Sequence, residues 1–337
     1  MAEQGTHKPL AGGSNPPSAT NPSPLDQLAA ALARGTDALG IPNDAHLVLA
    51  VSGGPDSMAL FHGAAHLVDT DARQWRLTVA HLDHGLRDES SDDATFVADA
   101  AAAFGVPFEK GRTDVAALAR AEGRSIEAAG REARYRFFAE VAPADSLIAT
   151  AHTADDAAET VIMNLLRGTG PTGVRGIPAR RGRIVRPLLG ERRSALRALL
   201  DGAGLAYRID SSNEDPAFLR NRVRAEVMPV LEDLRPGAVD RIGQFAGRVA
   251  DDETLLDELA AAELARRRNA GGEIDWREPP VAALGRRVLR LAIGDPAPNA
   301  ERIEALLEAA EGAQGGVRIE LGGGRTASVR QRRIRIE

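Results

Sequence analysis

The chain of 337 residues is 43% hydrophobic, carries a formal net charge of −6 at pH 7 and contains no cysteine. Its length suits about two domains of roughly 150 residues, and the lack of cysteine excludes disulfides, thiolate zinc sites, cysteine nucleophiles and iron–sulfur clusters. No apolar run approaches the roughly 20 residues of a membrane helix and no signal peptide is recognisable, so the sequence predicts a soluble, cytoplasmic protein.

The first predicted element is a disordered tail, followed by a helix. Residues 1–24 are rich in Gly, Pro, Ser, Asn and Thr and lack apolar periodicity, which is typical of a disordered segment. Ser23 and Pro24 have the chemistry of a helix cap and of a first helical residue. The sequence therefore predicts a helix from this point to Gly40.

Strand-like and helix-like segments alternate after this helix. We expect strands at 46–51, 75–82, 106–109, 146–151 and 184–188, and helices at 57–67, 91–104, 125–141 and 155–166. The strands are continuous apolar runs, as in a parallel sheet that is covered on both faces. This order predicts an α/β fold with a doubly wound parallel sheet, whose ligands lie at the carboxyl ends of the strands.

The pattern changes near Gly168. A glycine- and arginine-rich loop follows, helical patterns dominate from 217 to about 311, and 315–337 have the pattern of a β-hairpin. Pro236 is the predicted domain boundary. The α/β domain then extends over 25–234, and a smaller, mainly helical domain over 235–337.

The motif SGGPDS, at 52–57, follows the first predicted strand. Its glycines let the backbone turn with its N–H groups facing inward, and the next helix adds free N–H groups and a positive dipole end. The motif is neither a Walker P-loop nor a GxGxxG dinucleotide fingerprint. A phosphate-binding loop and a polar turn capped by Asp or Ser both fit these residues.

A second polar motif follows the next strand. His81, Asp83 and His84 fit a transition-metal site, and they equally fit a strand end that turns into a capped polar loop.

The third motif is AHTADDAAET, at 151–160. Asp155 and Asp156 fall in the first turn of a predicted helix, where acids stabilise the positive dipole end, so simple capping explains them. Asp156 and Glu159 are three residues apart and share a helix face. Two carboxylates on one face can also hold a cationic amino acid.

Positive charge is concentrated in one part of the chain. Residues 167–197 contain nine arginines and one acid, and a further arginine trio occupies 220, 222 and 224. Clustered arginine fits either a solvated face or a surface for a polyanion. The candidates for contact with such a polyanion are Arg167, Arg175, Arg180, Arg181, Arg183 and Arg222.

These motifs carry a resemblance to a known family. SGGxDS after the first strand is the hallmark of the PP-loop ATP pyrophosphatases. The segments HLDHGLRDESSDDATFV, SIEAAGREARYRFF, TAHTADDAAETVIMNLLRGTG, RPLL and SSNEDPAFLRNRVRAEVMPVL are similar, in order and spacing, to the tRNA(Ile)-lysidine synthetase family within it. The resemblance covers about 46–234 closely and is looser towards the C-terminus.

The resemblance implies an ATP-dependent ligase acting on tRNA. ATP and Mg²⁺ are held by the loop, the wobble cytidine of an isoleucine tRNA with a CAU anticodon is adenylated, and free lysine then displaces AMP to form lysidine. The implied ATP-binding residues are Ser52, Gly53, Gly54, Pro55, Asp56, Ser57 and His81. Asp56 is the implied magnesium ligand and a candidate base, and the resemblance favours no transition metal.

The resemblance also implies a lysine site and a tRNA surface. Asp156 and Glu159 hold lysine and take part in catalysis, and Arg131 in GREARY faces the lysine carboxylate. Thr153 and Ala157 depart from the family, which commonly has His-His-x-x-Asp-Asp-Gln here. The domain at 235–337 is expected to contact tRNA.

Three alternatives remain open from the sequence. A PP-loop tRNA 2-thiolation enzyme would use cysteines, which this chain lacks. An amidotransferase-type synthetase would share the nucleotide loop but not the arginine-rich loop. A non-catalytic nucleotide- or RNA-binding module is the third, and both a monomer and a homodimer are compatible with the sequence.

Overall fold

The computed structural model describes residues 21–83, 85, 90–209, 218–294, 298–312 and 316–337. His84 and residues 1–20 of the predicted tail lie outside this part of the chain. The chain divides into two compact units, a first unit of Met1–Asp156 with Pro178–Asp215 and a second unit of Ala157–Ile177 with Pro216–Glu337.

The helices and strands are numbered in chain order. The helices are α1 (Pro24–Ala38), α2 (Pro55–Asp69), α3 (Ser90–Ala103), α4 (Val115–Glu122), α5 (Ile126–Val141), α6 (Ala154–Leu166), α7 (Pro171–Val174), α8 (Arg193–Gly202), α9 (Leu219–Arg222), α10 (Met228–Leu234), α11 (Ala238–Arg267), α12 (Ala282–Ile293) and α13 (Ala300–Gly312). The strands are β1 (His46–Ala50), β2 (Arg76–Asp83), β3 (Phe108–Arg112), β4 (Leu147–Ala149), β5 (Arg180–Arg181), β6 (Ile184–Val185), β7 (Ile274–Asp275), β8 (Val317–Gly322), β9 (Arg325–Arg330) and β10 (Arg333–Ile336). A π-helical turn, Val223–Val227, joins α9 to α10.

The start of α1 is the capped start that its sequence predicts. The side chain of Ser23 accepts a hydrogen bond from the Asp26 N–H at 3.1 Å, and the Asp26 side chain accepts one from the Ser23 N–H at 3.0 Å. This reciprocal pair is a capping box, and Pro24 occupies the first helical turn, where its missing N–H costs nothing. The helix ends at Ala38, slightly before the predicted Gly40.

The sheet of the first unit confirms the predicted α/β class. Its strand order is β3-β2-β1-β4-β6-β5, and every pairing is parallel except that of β5 with β6. β1 is fully buried in its centre, with Val48 and Leu49 both at 0% exposure. Burying side chains of this kind contributes about 1.5–3 kcal/mol each, which explains the continuous apolar runs.

The last part of this sheet differs from the prediction. The expected strand at 184–188 ends at Val185, and the antiparallel edge strand β5 was not expected. Pro187 has no N–H to donate to a ladder, so the strand stops before it. The β5 residues are both arginine and lack the apolar pattern by which a strand is recognised.

Other helices were missed and one strand was displaced. The helices α4, α7 and α8 were not predicted, and β3 lies at Phe108–Arg112 instead of 106–109. The β3 sequence FEKGR is not apolar, but Gly111 lets the strand approach α5 closely. A Cβ at Gly111 would lie 2.6 Å from the Phe137 ring.

The second unit combines helices with an antiparallel sheet. Its strand order is β7-β10-β9-β8, so the predicted C-terminal hairpin is part of a four-stranded sheet. Trp276, Val288 and Ile303, each at 0% exposure, lie in the core between this sheet and the helices α12 and α13. None of the helices in the described ranges is both long and apolar enough to cross a membrane.

Candidate active site at the carboxyl edge of the sheet

Register brings three segments to one edge of the first unit. Leu49 of β1 pairs with Ala149 of β4, and Ala149 pairs with Val185 of β6. The strands are parallel, so the SGGPDS loop, the start of the AHTADD motif and Arg186 all follow strand ends at this edge. Ligands of doubly wound sheets bind at such an edge.

The SGGPDS loop leaves the N-terminus of α2 without a side-chain cap. The N-cap residue is Gly54, and no side chain accepts a hydrogen bond at the cap. Ser57 Oγ instead accepts from the Ser52 N–H at 3.1 Å and donates to the Gly54 carbonyl at 2.9 Å, which holds the loop in place. Gly53 has φ +92°, a conformation that side chains disfavour. The missing side-chain cap favours the anion-binding loop over the capped polar turn, which the sequence also allowed.

His81 lies buried on β2, beside this loop. Its Nδ1 lies 2.9 Å from the Val51 carbonyl oxygen, which can only accept, so Nδ1 carries the proton. Burial lowers the pKa of His81. The ring is therefore neutral near pH 7, and Nε2 is an acceptor.

Asp83, near His81, lies in a polar turn at the end of β2. Asp83 is buried and accepts a hydrogen bond from the Gly85 N–H at 2.8 Å, as in the polar-turn interpretation. Within the described ranges, no group of three or more His, Asp or Glu side chains is arranged to hold a metal ion. His84 lies outside those ranges.

Arg193 links the first and third motifs. Its Nε donates to Asp56 Oδ2 at 3.1 Å and its Nη2 to Asp156 Oδ1 at 2.8 Å. Its backbone N–H donates to Asp155 Oδ2 at 2.8 Å. Arg193 is 23% exposed at its side chain and begins α8, so three acids of two separate motifs meet at one helix N-terminus.

The second oxygen of Asp156 caps α6. Asp156 Oδ2 accepts from the Thr153 N–H at 2.9 Å and from the Thr153 hydroxyl at 3.0 Å. Oδ2 of Asp156 therefore serves the helix cap, and Oδ1 accepts the hydrogen bond from Arg193. Thr153, a departure from the family pattern, takes part directly because its hydroxyl supplies one of these bonds.

Glu159 lies in the second unit and is buried, at 1% exposure. Its carboxylate accepts from Arg220 Nε at 3.1 Å, and from Arg224 Nε at 2.8 Å and Nη2 at 3.0 Å. These contacts give two of the three alternating arginines a structural partner. Arg222, the third, is exposed and pairs with Glu226 at 3.2 Å.

The remaining predicted arginines differ in their contacts. Arg183 donates to the carbonyl oxygens of Ala142 and Pro143, at 3.4 and 2.6 Å, and so completes the C-terminal end of α5. The guanidinium carbon of Arg131 lies 5.0 Å from the centroid of the Tyr135 ring. The other four are exposed. Arg180 and Arg181 belong to the first unit, and Arg167 and Arg175 belong to the second.

Sequence reasoning missed Arg193 and Arg186. Neither belongs to a short motif with a chemical meaning of its own, because Arg193 sits in an arginine-rich run and Arg186 precedes PLL. The available signal for Arg193 was its position after the fifth predicted strand, near the edge where ligands bind, whereas Arg186 lay inside that predicted strand, which in the structure ends at Val185.

Comparison with known proteins gives a coherent picture. The PP-loop domain model matches residues 26–231. Named tRNA(Ile)-lysidine synthases match from Geobacter sulfurreducens (44% identical, covering 75% of this chain and 55% of the relative), from Thermus thermophilus (48%, covering 65% and 42%) and from Salinispora tropica (40%, covering 74% and 76%). The chain thus spans about half the length of the first two relatives.

One solved structure adds a likeness in fold. The U34-tRNA thiolase NcsA from Methanococcus maripaludis superposes with a TM-score of 0.56 at 15% identity, covering 68% of this chain and 80% of that one. At this identity the match supports the fold of the domain alone.

Proposed function

The chain belongs to the PP-loop family and, within it, to the tRNA(Ile)-lysidine synthase family, and from this premise we propose that it ligates lysine to the wobble cytidine of a CAU-anticodon isoleucine tRNA at the expense of ATP. The observation that carries the proposal is the link between the nucleotide loop and the acidic helix. One guanidinium, that of Arg193, reaches both Asp56 and Asp156. A group on ATP and an amine held at Asp156 would therefore be close enough to take part in one reaction.

ATP would bind across the SGGPDS loop. The uncapped N–H groups at the start of α2 and the hydroxyl of Ser52 suit phosphate oxygens, and His81 Nε2 suits a donor on the nucleoside. Gly53, Gly54 and Pro55 would shape the backbone, and Ser57 would keep it in place.

Asp56 would supply the protein ligand for Mg²⁺. Magnesium commonly binds through one or two carboxylates together with substrate phosphates and water, and a single carboxylate beside the proposed phosphate site fits that donor set. The ion would neutralise charge on the phosphates of ATP.

The reaction then needs two displacements. The carbonyl oxygen of cytidine attacks the α-phosphorus of ATP, and the bond to pyrophosphate breaks. The ε-nitrogen of lysine attacks the activated ring carbon, the bond from that carbon to the adenylate oxygen breaks, and AMP leaves. The amine loses a proton on the way, for which Asp156 is the candidate acceptor and Asp56 the other. Positioning and charge neutralisation contribute most to such transfers.

Lysine would be held by its two charged ends. Asp156 is the proposed partner of an amine, and Arg131 of the carboxylate. Glu159 would take part less directly than Asp156, since its carboxylate already accepts from Arg220 and Arg224.

The tRNA would contact exposed arginines. Arg167, Arg175, Arg180 and Arg181 are the strongest candidates because they are exposed. Arg183 and Arg222 are weaker candidates, because carbonyl oxygens and Glu226 respectively already take their donors. The part at 235–337 is proposed to contact tRNA as well, in addition to the catalytic part at 25–234.

The proposal fits a cytoplasmic enzyme, since its substrates are ATP, lysine and tRNA. The residues proposed for both chemical steps come from one chain, so the mechanism works in a monomer and in a homodimer alike.

Lysine transfer onto an isoleucine tRNA with a CAU anticodon tests the proposal. We expect radioactive lysine to be incorporated only with ATP and Mg²⁺, and tRNA-dependent exchange of pyrophosphate into ATP. Asp56→Asn should lower both activities by roughly 10²–10³-fold, as when one charge-stabilising group is removed from an active site. Asp44→Asn, at an exposed acid, is the control. Binding of tRNA and ATP without exchange or incorporation would identify a non-catalytic module instead.

A further inference from the structure

The glycine-rich segment at 168–176 depends on outside contacts for its conformation. Its sequence, GTGPTGVRG, contains four glycines, which lose more conformational freedom on ordering than other residues. The helix within it, α7, is four residues long. Isolated helices shorter than roughly 12 residues are marginal in water, so α7 is not stable on its own. Contacts with the rest of the second unit therefore decide where this segment lies.

Glu253 of α11 provides one of these contacts. Its Oε2 accepts a hydrogen bond from the Thr172 hydroxyl at 2.6 Å, and only 1% of the residue is exposed. Val174 of α7 packs in a small buried cluster with Ala246, which also belongs to α11. Hydrogen bonds to charged groups are stronger than those between neutral groups. The bond from Thr172 to Glu253 therefore adds a strong, directional contact to the apolar one.

Arg287 of α12 holds the Glu253 carboxylate in place. Its Nη2 donates to Glu253 Oε1, and its Nη1 donates to Asp257 Oδ1 at 2.9 Å. Burial alone would raise the pKa of Glu253, but the hydrogen bonds from Arg287 and Thr172 outweigh burial, and the pKa is lowered. The carboxylate is therefore ionised near pH 7. Its two oxygens have separate partners, since Oε1 binds Arg287 and Oε2 binds Thr172.

Arg175 follows α7 directly. Its N–H donates to the Pro171 carbonyl oxygen at 3.3 Å, and its side chain is exposed. The positive charge of Arg175 also helps to lower the pKa of Glu253, so the guanidinium lies within electrostatic range of that carboxylate. All of these residues belong to the second unit. The place where α7 rests on α11 therefore determines where this cation is presented.

We infer that Glu253 is a positioning residue for tRNA binding, because it holds the Thr172 hydroxyl, fixes α7 on α11 and so presents Arg175 to the RNA. The inference rests on the proposed function, in which Arg175 is one of the RNA contacts. Glu253 is buried and does not touch RNA itself. A cation that is held in place before binding loses less conformational freedom when a phosphate reaches it, so the contact increases affinity from a distance.

Thr172→Val tests the inference at the surface end of this hydrogen bond. The change keeps the shape of the side chain and removes the hydroxyl, whereas a change of Glu253 would also deprive Arg287 of a buried partner. In the lysine-transfer assay, Thr172→Val should raise the KM for tRNA about three- to tenfold and leave kcat and the KM for ATP within about twofold of the wild type. Thr172→Ser keeps the hydroxyl and should restore the KM for tRNA. Failure of the serine variant to restore it would contradict the inference.

Thr254→Val is the matched control. The hydroxyl of this threonine, next to Glu253 in the chain, donates to the Ala250 carbonyl oxygen of its own helix at 2.9 Å. Its loss should leave the KM for tRNA unchanged. A general loss of stability in Thr172→Val would lower the active fraction of the protein, and hence kcat, without a selective rise in the KM for tRNA. The split between the two constants therefore separates positioning from a structural role.

A double-variant cycle shows whether Thr172 acts through Arg175. In an Arg175→Gln background, Thr172→Val should raise the KM for tRNA by less than about twofold, because the cation that it positions is already absent. Equal increases in both backgrounds would overturn the inference, as would an unchanged KM for tRNA in Thr172→Val alone. A wild-type chain that binds no tRNA or transfers no lysine would instead overturn the proposed function.

Discussion

The guanidinium of Arg193 donates to the carboxylate of Asp56, 137 positions earlier in the chain, with 3.1 Å between Nε and Oδ2. The same guanidinium donates to Asp156 at 2.8 Å. Two acids that the proposed reaction needs, one for Mg²⁺ and one for an amine, therefore share one positive charge. Any cation that binds at either carboxylate competes with Arg193.

Arg193→Met should strengthen divalent-cation binding in the absence of nucleotide. Without the guanidinium, Asp56 and Asp156 attract a cation more strongly, and we expect Mn²⁺, as a spectroscopic substitute for Mg²⁺, to bind about tenfold more tightly, which corresponds to about 1.4 kcal/mol. Electron paramagnetic resonance titration measures the free Mn²⁺. Arg197→Met, in the same helix but paired with Tyr207, is the control. Unchanged Mn²⁺ affinity in the Arg193 variant would show that the guanidinium does not compete with the metal.

The contacts of Arg193 could not be predicted from the sequence, although the position of both acids could. Apolar runs predicted the order of strands and helices, and parallel pairing predicted that Asp56 and Asp156 would lie at one edge. Nothing in the local pattern around 193 shows which acids its side chain meets, because that contact depends on how α8 packs in three dimensions. In the same way, the spacing of Asp156 and Glu159 predicted that they share a helix face. It could not predict the partners of Glu159, Arg220 and Arg224, which lie 61 and 65 positions away.

Glu159→Gln should destabilise the protein through its buried ion pairs. Both arginine partners would lose their counter-charge next to a buried amide. We expect a loss of about 1–3 kcal/mol in the free energy of unfolding, less than for a fully buried pair because Arg220 and Arg224 are 28% and 33% exposed. Urea denaturation followed by circular dichroism measures the change.

Glu226→Gln provides the matched comparison for Glu159. Glu226 also pairs with an arginine, but its side chain is 54% exposed and solvent screens the pair, so its loss should lower the free energy of unfolding much less than the loss of Glu159. If both variants lost the same free energy of unfolding, burial of Glu159 would not be the reason for the larger effect.

His62 should make the protein less stable in mild acid. Its ring is buried next to Phe61 and Phe104, and burial lowers its pKa to about 4. An unfolded chain binds the proton at about 6.5, so it takes up more protons than the folded chain between these two values. The stability contributed by neutral His62 is present above pH 6.5 and is lost as the pH falls towards 4. The loss amounts to up to about 3 kcal/mol.

His62→Leu, which keeps the volume and cannot be protonated, should flatten this dependence. Urea denaturation at several pH values would compare it with the wild type. We expect the two curves to run parallel above pH 7 and the wild type to lose more stability below pH 6.5. Parallel curves over the whole range would mean that His62 is not the group responsible.

The exposed pair Arg180 and Arg181 should contribute to tRNA binding through charge alone. Both lie in the edge strand β5, and no carboxylate pairs with either within the described ranges, whereas Arg222 is neutralised by Glu226. A phosphate-binding cation releases counterions, so the double change to Glu should weaken binding and reduce the slope of log K against log salt by about 0.7–0.9 per lost phosphate contact. Arg222→Glu should change the slope less. An unchanged salt slope in the double variant would place the tRNA surface elsewhere on the protein. If Arg222→Glu reduced the slope as much per residue as the double variant does, Arg222 would bind RNA despite its ion pair with Glu226.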